Sequence, residues 1–348
     1  MPHGTHVRHV RSLAEAQKVL ANLQDTVAAG ELRPFVISRI KRKELLRNLT
    51  QVKYGIFGFD QTLHSASQWT EIRRILGPKA QALWETDISK RPINGQAVTI
   101  SNLIKGQYLY MSPAGQPLVE QAMLQTEWTA QLIQALKEQQ VTREQIRSIA
   151  QYLPMRAGAA EILRPMMKVS VISWGLREII NAWLEINGIA NAFKRNSIRV
   201  LELGATELRF DDQERVTGHV SSSLVVNANK SIKANRFLEG CGVSEGLTLA
   251  VGDSIYDMEM MPFVRISAEQ AISGVNVLIM SPATALETLN EFDQHRMPRL
   301  WQRVTCLLIA DDFYPLLELQ KEAIQRYDSI GQNKKQIPKE QVKEIFGL

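Results

Sequence analysis

Cysteine is scarce in this chain: Cys241 and Cys306 are the only two in 348 residues, far apart and without metal-ligand spacing. A disulfide framework is therefore not expected, and a reducing compartment, the cytosol, is the expected location. Long apolar runs are missing too. Val304 to Ala310 and Val275 to Met280 are the longest candidates, far short of the roughly 18 residues that span a bilayer. The N-terminal stretch carries His3, His6, Arg8 and Arg11 with no apolar core, which does not read as a secretory signal. There is no internal repeat or low-complexity tract. What remains, 45% apolar and 22% charged, is an ordinary globular composition, long enough for a sizeable core and one accessory domain.

A strong charge excess is also lacking, since the net formal charge is only +5. The cations are unevenly placed, however. Arg33 to Lys53 holds Arg33, Arg39, Lys41, Arg42, Lys43, Arg47 and Lys53 against Glu44 alone, interleaved with Phe35, Ile37, Ile40, Leu45, Leu46 and Leu49. This pattern fits a basic amphipathic helix for an anionic membrane surface or acidic partner, or a solvated helix packed on the domain. No recognised module or aromatic platform accompanies the charge, so nucleic-acid binding is not expected.

Periodicity divides the chain into an α/β core and helical additions. Ser12 to Ala29 reads as a helix, with Leu13, Ala16, Val19, Leu20 and Leu23 at helical spacing and Gly30 as its stop. Residues 1–50 form a helical, basic N-terminal extension in this reading. Tyr54 to Phe59 suits a buried strand. Residues 65–155 turn mainly helical (Trp69 to Leu76, Pro78 to Thr86, Pro117 to Gln139, and Thr142 to Tyr152 with Thr142 as cap), while Val98 to Met111 fits a hairpin or an irregular loop. Strand and helix patterns then alternate. Strands fit Val169 to Ser173, Ile198 to Leu203, Arg215 to Val226, Leu247 to Val251, Phe263 to Ile266 and Val275 to Ile279; helices fit Arg177 to Ile186 and Lys230 to Glu239. The expected class is α/β with a Rossmann-like, mainly parallel sheet built from residues 51–64 and 156–281. A helical insertion (65–155) interrupts that core, and a helical C-terminal extension (282–348) includes a linker at Gly331 to Lys335.

Four short motifs carry the chemistry. The first is Phe57-Gly58-Phe59-Asp60-Gln61-Thr62-Leu63, which puts Asp60 at a strand's carboxyl end, where open α/β sheets place ligand sites. A carboxylic acid there can protonate a leaving alkoxide and then take a proton from water, or it can simply satisfy the turn. Thr62 can orient that carboxylate or cap the turn. The second, Val169 to Gly175, is a strand ending in Ser173-Trp174-Gly175 ahead of a helix, where Ser173 is either an anion ligand or an N-cap. The third is Lys230, 23 residues before Asp253, with Lys233 as competitor. The fourth, Leu249 to Met258, runs an apolar strand into Gly252-Asp253-Ser254-Ile255-Tyr256-Asp257.

In order and spacing these motifs resemble those of the haloacid dehalogenase superfamily, nearest its phosphoserine-phosphatase-like branch. The resemblance spans roughly Tyr54 to Ile279, and Phe210 to Gly218 resembles a turn that such proteins carry before the lysine motif. It implies a Mg²⁺-dependent phosphomonoester hydrolase with a helical cap over residues 65–155. Asp60 would be the general acid and base. Ser173, with the Trp174 and Gly175 backbone, would hold phosphate, and Lys230 would neutralise phosphate and carboxylates together. The metal site would draw on Asp60, Asp253 and Asp257, the last supporting it through hydrogen bonds. One residue departs from the pattern: Gly58 stands where the family has the nucleophilic Asp, which also ligates the metal. Glycine can do neither job, so the resemblance leaves Asp253 and the Asp60 carbonyl for the metal and implies a weaker Mg²⁺ site.

Three functions follow from that departure: a phosphatase inactive or impaired as written, in which either residue 58 is an altered position or slow hydrolysis persists by direct water attack with Asp60 as base; a pseudo-phosphatase that binds a phosphorylated small molecule or phosphoprotein; or different chemistry on the same scaffold. The cap would select the ligand, with Trp69, Arg73, Arg74, Lys79 and Tyr108 as candidates for its lining.

Overall fold

Short runs of β-branched and large apolar residues build the centre of the molecule. The structure, a computed structural model, describes residues 5–23, 34–85, 117–194, 199–226, 229–241, 248–254, 257–262, 274–294 and 301–328. Its strands are β1 (His6–His9), β2 (Phe35–Ser38), β3 (Tyr54–Phe57), β4 (Lys168–Leu176), β5 (Val200–Thr206), β6 (Leu208–Phe210), β7 (Val216–His219), β8 (Thr248–Gly252), β9 (Val275–Met280) and β10 (Cys306–Ile309). Eight of them form one sheet in the order β1-β2-β10-β9-β8-β3-β4-β5, and β6 and β7 form a separate antiparallel hairpin. Every pairing in the large sheet is parallel except that between β2 and β10. β8, β9 and β10 are buried along their whole length, as expected of strands covered by helices on both faces.

The strand order locates the site. From β3 the chain moves outward to β4 and β5, then returns to lay β8 against the other edge of β3 and continues to β9 and β10. The order reverses at β3, and the crevice at the carboxyl ends of β3 and β8 is the topological switch point where such sheets bind ligands.

Between β3 and β4 lie the helices Gln68–Leu76, Pro78–Glu85, Pro117–Glu138 and Arg143–Ser148. Thr142 caps the last in a reciprocal capping box with Gln145. The insertion is fastened to the sheet by four tryptophans. The Trp128 ring meets Trp69, Trp84 and Trp174 at centroid distances of 4.9, 5.2 and 5.4 Å, and Trp174, on β4, donates its indole N–H to Thr129 Oγ1 at 3.0 Å. Edge contacts of this kind contribute about 0.5–1.5 kcal/mol each beyond the area they bury.

Three expectations need correction. The N-terminal region is not wholly helical, because β1 and β2 extend the sheet around the helix Leu13–Ala21. No single basic helix runs from Arg33 to Lys53. The Phe-Val-Ile-Ser run forms β2, and a separate helix covers Arg42–Leu49; Phe35, Ile37, Ile40, Leu45, Leu46 and Leu49 are all buried. That burial leaves those side chains no apolar face for a membrane. Two of the cations serve the fold: Arg39 Nη1 donates to the carbonyls of Trp301 and Val304, and Arg42 to the Thr5 carbonyl and Glu322. The C-terminal region contributes β10 between the helices Ala285–Gln294 and Tyr314–Asp328, since a short apolar run reads equally well as buried strand or buried helix. Val98 to Met111, Phe263 to Ile266, Gly331 to Lys335, Gly30, Arg33 and Tyr108 lie outside the described residues, as does the Lys79 side chain.

Candidate functional site

β3 delivers Gly58 directly beside β8, where its N–H donates to the Val251 carbonyl at 2.9 Å. A Cβ at this position would come within 2.7 Å of Thr62 Oγ1 and 3.2 Å of Asp257 Oδ2. Thr62 is fully buried, and its hydroxyl donates to Asp253 Oδ1 at 2.9 Å. The hydroxyl therefore crowds the place of a side chain at 58, and it addresses Asp253 rather than Asp60 as expected. The turn holding it includes Gln61 at φ 54°, a left-handed conformation uncommon for a residue with a Cβ.

Asp60 is held on its other side. Its Oδ1 accepts from the Gln68 backbone N–H at 3.1 Å, and its Oδ2 from Gln68 Nε2 at 3.2 Å. His64, fully buried, has Nε2 2.9 Å from Asp60 Oδ1, an electrostatic neighbour not aligned as a hydrogen bond. The other ring nitrogen, Nδ1, accepts the Ala66 N–H, so the imidazole proton belongs on Nε2, facing the carboxylate. Gln68, also fully buried, reaches further: its Oε1 accepts the Leu176 N–H at 2.9 Å, just ahead of the helix Arg177–Ile186. A Cβ at Gly175 would meet Gln68 Nε2 at 2.0 Å, so the glycine admits this side chain. The expected phosphate cradle at Ser173, Trp174 and Gly175 is thus covered. Ser173 is buried, β4 runs on through Leu176, and the amide ahead of the helix is already satisfied.

The fourth motif folds onto itself. Asp257 is 2% exposed and accepts from Lys230 Nζ at 2.7 Å, from the Asp253 N–H at 3.1 Å and from Ser254 Oγ at 3.3 Å. Gly252 is required here, since a Cβ would lie 2.1 Å from that of Asp257. Lys230 is the lysine of the site; Lys233 donates instead to the Ser222 carbonyl. Burial, followed by the Asp257 charge beside it, pushes the Asp253 carboxyl well above the usual carboxylate range. Burial acts the same way on Asp257, but the Lys230 ammonium prevails and holds it below that range.

The three carboxylates expected at a Mg²⁺ site are each engaged within the protein. The Asp257 carboxylate is committed to Lys230, Ser254 and a backbone N–H, that of Asp60 to Gln68, and one oxygen of Asp253 to Thr62. Among the described residues, no group of three His, Cys, Asp or Glu side chains is arranged to hold a metal ion.

Arg156 is a participant that gave no signal in the sequence. It is 8% exposed, and its Nε and Nη2 donate to the carbonyls of Thr62 and Gln61 at 3.1 and 2.7 Å, fixing the turn that carries Asp60. Burial lowers its pKa, against the opposing charges of Asp253, Asp311 and Asp312. His64 and Gln68 stood four and eight residues beyond Asp60, a spacing that offered a hint. Of the expected cap-lining residues, Trp69 is buried in the tryptophan cluster, Arg73 bonds Gln81, and the Arg74 guanidinium lies 3.8 Å from the Tyr152 ring centroid. Beside Asp253, a cavity of about 500 Å³ opens at the carboxyl end of β9.

No protein-family model matches the chain, and no curated protein matches it. Among solved structures it is similar to a probable phosphoserine phosphatase from Vibrio cholerae, at 15% identity over 84% of this chain and 70% of that one, with a TM-score of 0.49. A haloacid dehalogenase-family hydrolase from Salmonella enterica serovar Typhi gives 12% over 78% and 71%, with a TM-score of 0.48. A phospho-aspartyl intermediate analogue of phosphoserine phosphatase gives 18% over 77% and 98%, with a TM-score of 0.44. At these values the likenesses carry no information about chemistry.

Proposed function

We propose that this chain is a non-hydrolysing binding protein on a haloacid dehalogenase-type phosphatase scaffold. The observation that carries this reading is position 58. At the switch point, where that scaffold places its attacking carboxylate, there is a glycine, and Thr62 Oγ1 lies 2.7 Å from where a side chain would begin. Covalent phosphoryl transfer has no nucleophile here. Water attack with Asp60 as base is disfavoured as well, since both Asp60 oxygens already accept hydrogen bonds from Gln68. Lys230 and Asp257 neutralise each other, as a structural ion pair does. Binding takes place through the cavity beside Asp253, the open part of the crevice.

The test is phosphate release, with and without Mg²⁺, from an aryl phosphate and a panel of phosphomonoesters. It compares the parent chain, Gly58→Asp, and Gly58→Asp/Asp60→Asn. A silent parent with Asp60-dependent turnover in Gly58→Asp supports a phosphatase scaffold that lacks its nucleophile. Turnover by the parent itself refutes the proposal.

A further inference from the structure

The cavity beside Asp253 differs in character from the closed network around Asp60. Its volume of about 500 Å³ lies within the range of small-molecule sites, about 300–1,000 Å³. Met155 and Ala157, with the buried end of β9 at Ile279 and Met280, supply the apolar part of its lining. Ser65, Ser281, Thr284 and Thr288 bring hydroxyls to the lining, with the Gln61 amide among them. Three ionisable groups complete it: Arg156, Asp253 and Asp311.

Charge decides the ligand class. The cation of this lining, Arg156, already spends two nitrogens on backbone carbonyls and lies in the field of three carboxylates, those of Asp253, Asp311 and Asp312. Three of its five N–H donors remain, but its charge is already offset by these carboxylates, and a phosphate or other dianion would face Asp311 directly. Hydroxyls and carboxylates interspersed with apolar residues match a small uncharged ligand that carries both hydroxyl and C–H groups. Carboxylates accept paired hydroxyl donors; Ser and Thr hydroxyls accept and, apart from that of Thr288, which already donates to the Thr284 carbonyl at 3.0 Å, also donate; Met155 and Ala157 offer apolar contact to C–H groups.

From this lining we infer that the cavity binds a neutral polyhydroxylated molecule of monosaccharide or cyclitol size, with Asp311 accepting from its hydroxyls at the rim and Thr284 and Thr288 pairing with the others. This deepens the binding reading above and rests on it.

The experiment is calorimetric titration of the full chain with D-glucose, myo-inositol, inorganic phosphate and putrescine, repeated on Asp311→Asn and on Thr284→Val/Thr288→Val. Urea denaturation of each variant establishes that it is folded. Phosphate release from a phosphomonoester is followed in parallel. The expected result is saturable binding of at least one neutral polyol, weakened about tenfold or more in both variants as hydrogen bonds to the ligand are lost. Neither phosphate nor putrescine should compete with it. Preferential binding of phosphate or putrescine, no binding by either polyol, or polyol binding unchanged in both folded variants would overturn the inference while leaving the non-hydrolysing reading intact. Phosphate release by the parent would instead overturn that reading.

Discussion

Replacing Gly58 with alanine adds a single carbon at the place of the missing nucleophile. That carbon would sit 2.7 Å from Thr62 Oγ1, too close for an unbonded pair, so Thr62 must rotate and give up its hydrogen bond to Asp253. Overpacking of this kind costs about 1–3 kcal/mol, and a lost buried hydrogen bond about 1 kcal/mol or more. Against this, alanine restricts the unfolded chain and returns about 0.4–1 kcal/mol. The balance is a net loss of roughly 1–3.5 kcal/mol. Urea denaturation of the parent, Gly58→Ala, Thr62→Ala and the double variant forms a double-mutant cycle. In the Thr62→Ala background the nearest remaining atoms are Asp257 Oδ2 at 3.2 Å and the Cβ of residue 62 at 3.3 Å, which shifts of a few tenths of an ångström accommodate, so the penalty for Gly58→Ala should fall to about 1 kcal/mol or less. An equal penalty in both backgrounds, or a gain in stability from Gly58→Ala alone, would refute the reasoning.

Lys230→Met should destabilise the fold by about 3–5 kcal/mol, because it strands the buried Asp257 carboxylate; a urea midpoint unchanged at neutral pH would count against the ion pair as described. Gly175→Ala should be destabilising by several kcal/mol through its collision with Gln68, and Gln68→Ala introduced alongside should recover much of that loss; lack of rescue would place the strain elsewhere. Glu178 supplies a pH dependence. Burial raises its carboxyl from 4.5 to about 7, against the opposing pull of its own backbone N–H and of the Leu208 N–H, which its Oε1 accepts at 3.1 Å. The folded state therefore holds a proton that the unfolded state releases, so this contribution is greatest below pH 4.5 and is lost as pH rises through 7. The loss amounts to roughly 3 kcal/mol, and Glu178→Gln should flatten stability between those limits in denaturation profiles.

The central strands were legible because β3, β4, β8 and β9 contain short apolar runs followed by Gly58, Ser173, Gly252 and Ser281, a pattern that helices and exposed loops seldom share. β2 and β10 were not. Phe35-Val36-Ile37 lies among cations whose spacing also suits a helix, and Cys306 to Ile309 is apolar on every side, so periodicity says nothing about which element it forms. In the site, the spacing of Gly252, Asp253 and Asp257 gave the residues, and the structure supplied what they touch. Thr62 addresses Asp253 across 191 residues of sequence, and Arg156 reaches the Gln61 carbonyl across 95. Partnerships that distant come from the meeting of β3 with β8 and from the return of the insertion, and no local pattern encodes them. Gln68 is the clearest case: its side chain is the reason for Gly175, and neither residue accounts for the other in sequence alone.

The most direct test of the closed switch point is the turnover of the unaltered chain on phosphomonoesters over a range of Mg²⁺ concentrations, set beside Asp60→Asn and Asp253→Asn. A closed site predicts no release above the uncatalysed background and no difference among the three proteins. Release that depends on Mg²⁺ and disappears in Asp60→Asn would contradict it, since Asp60 would then have to leave Gln68 to act as acid and base.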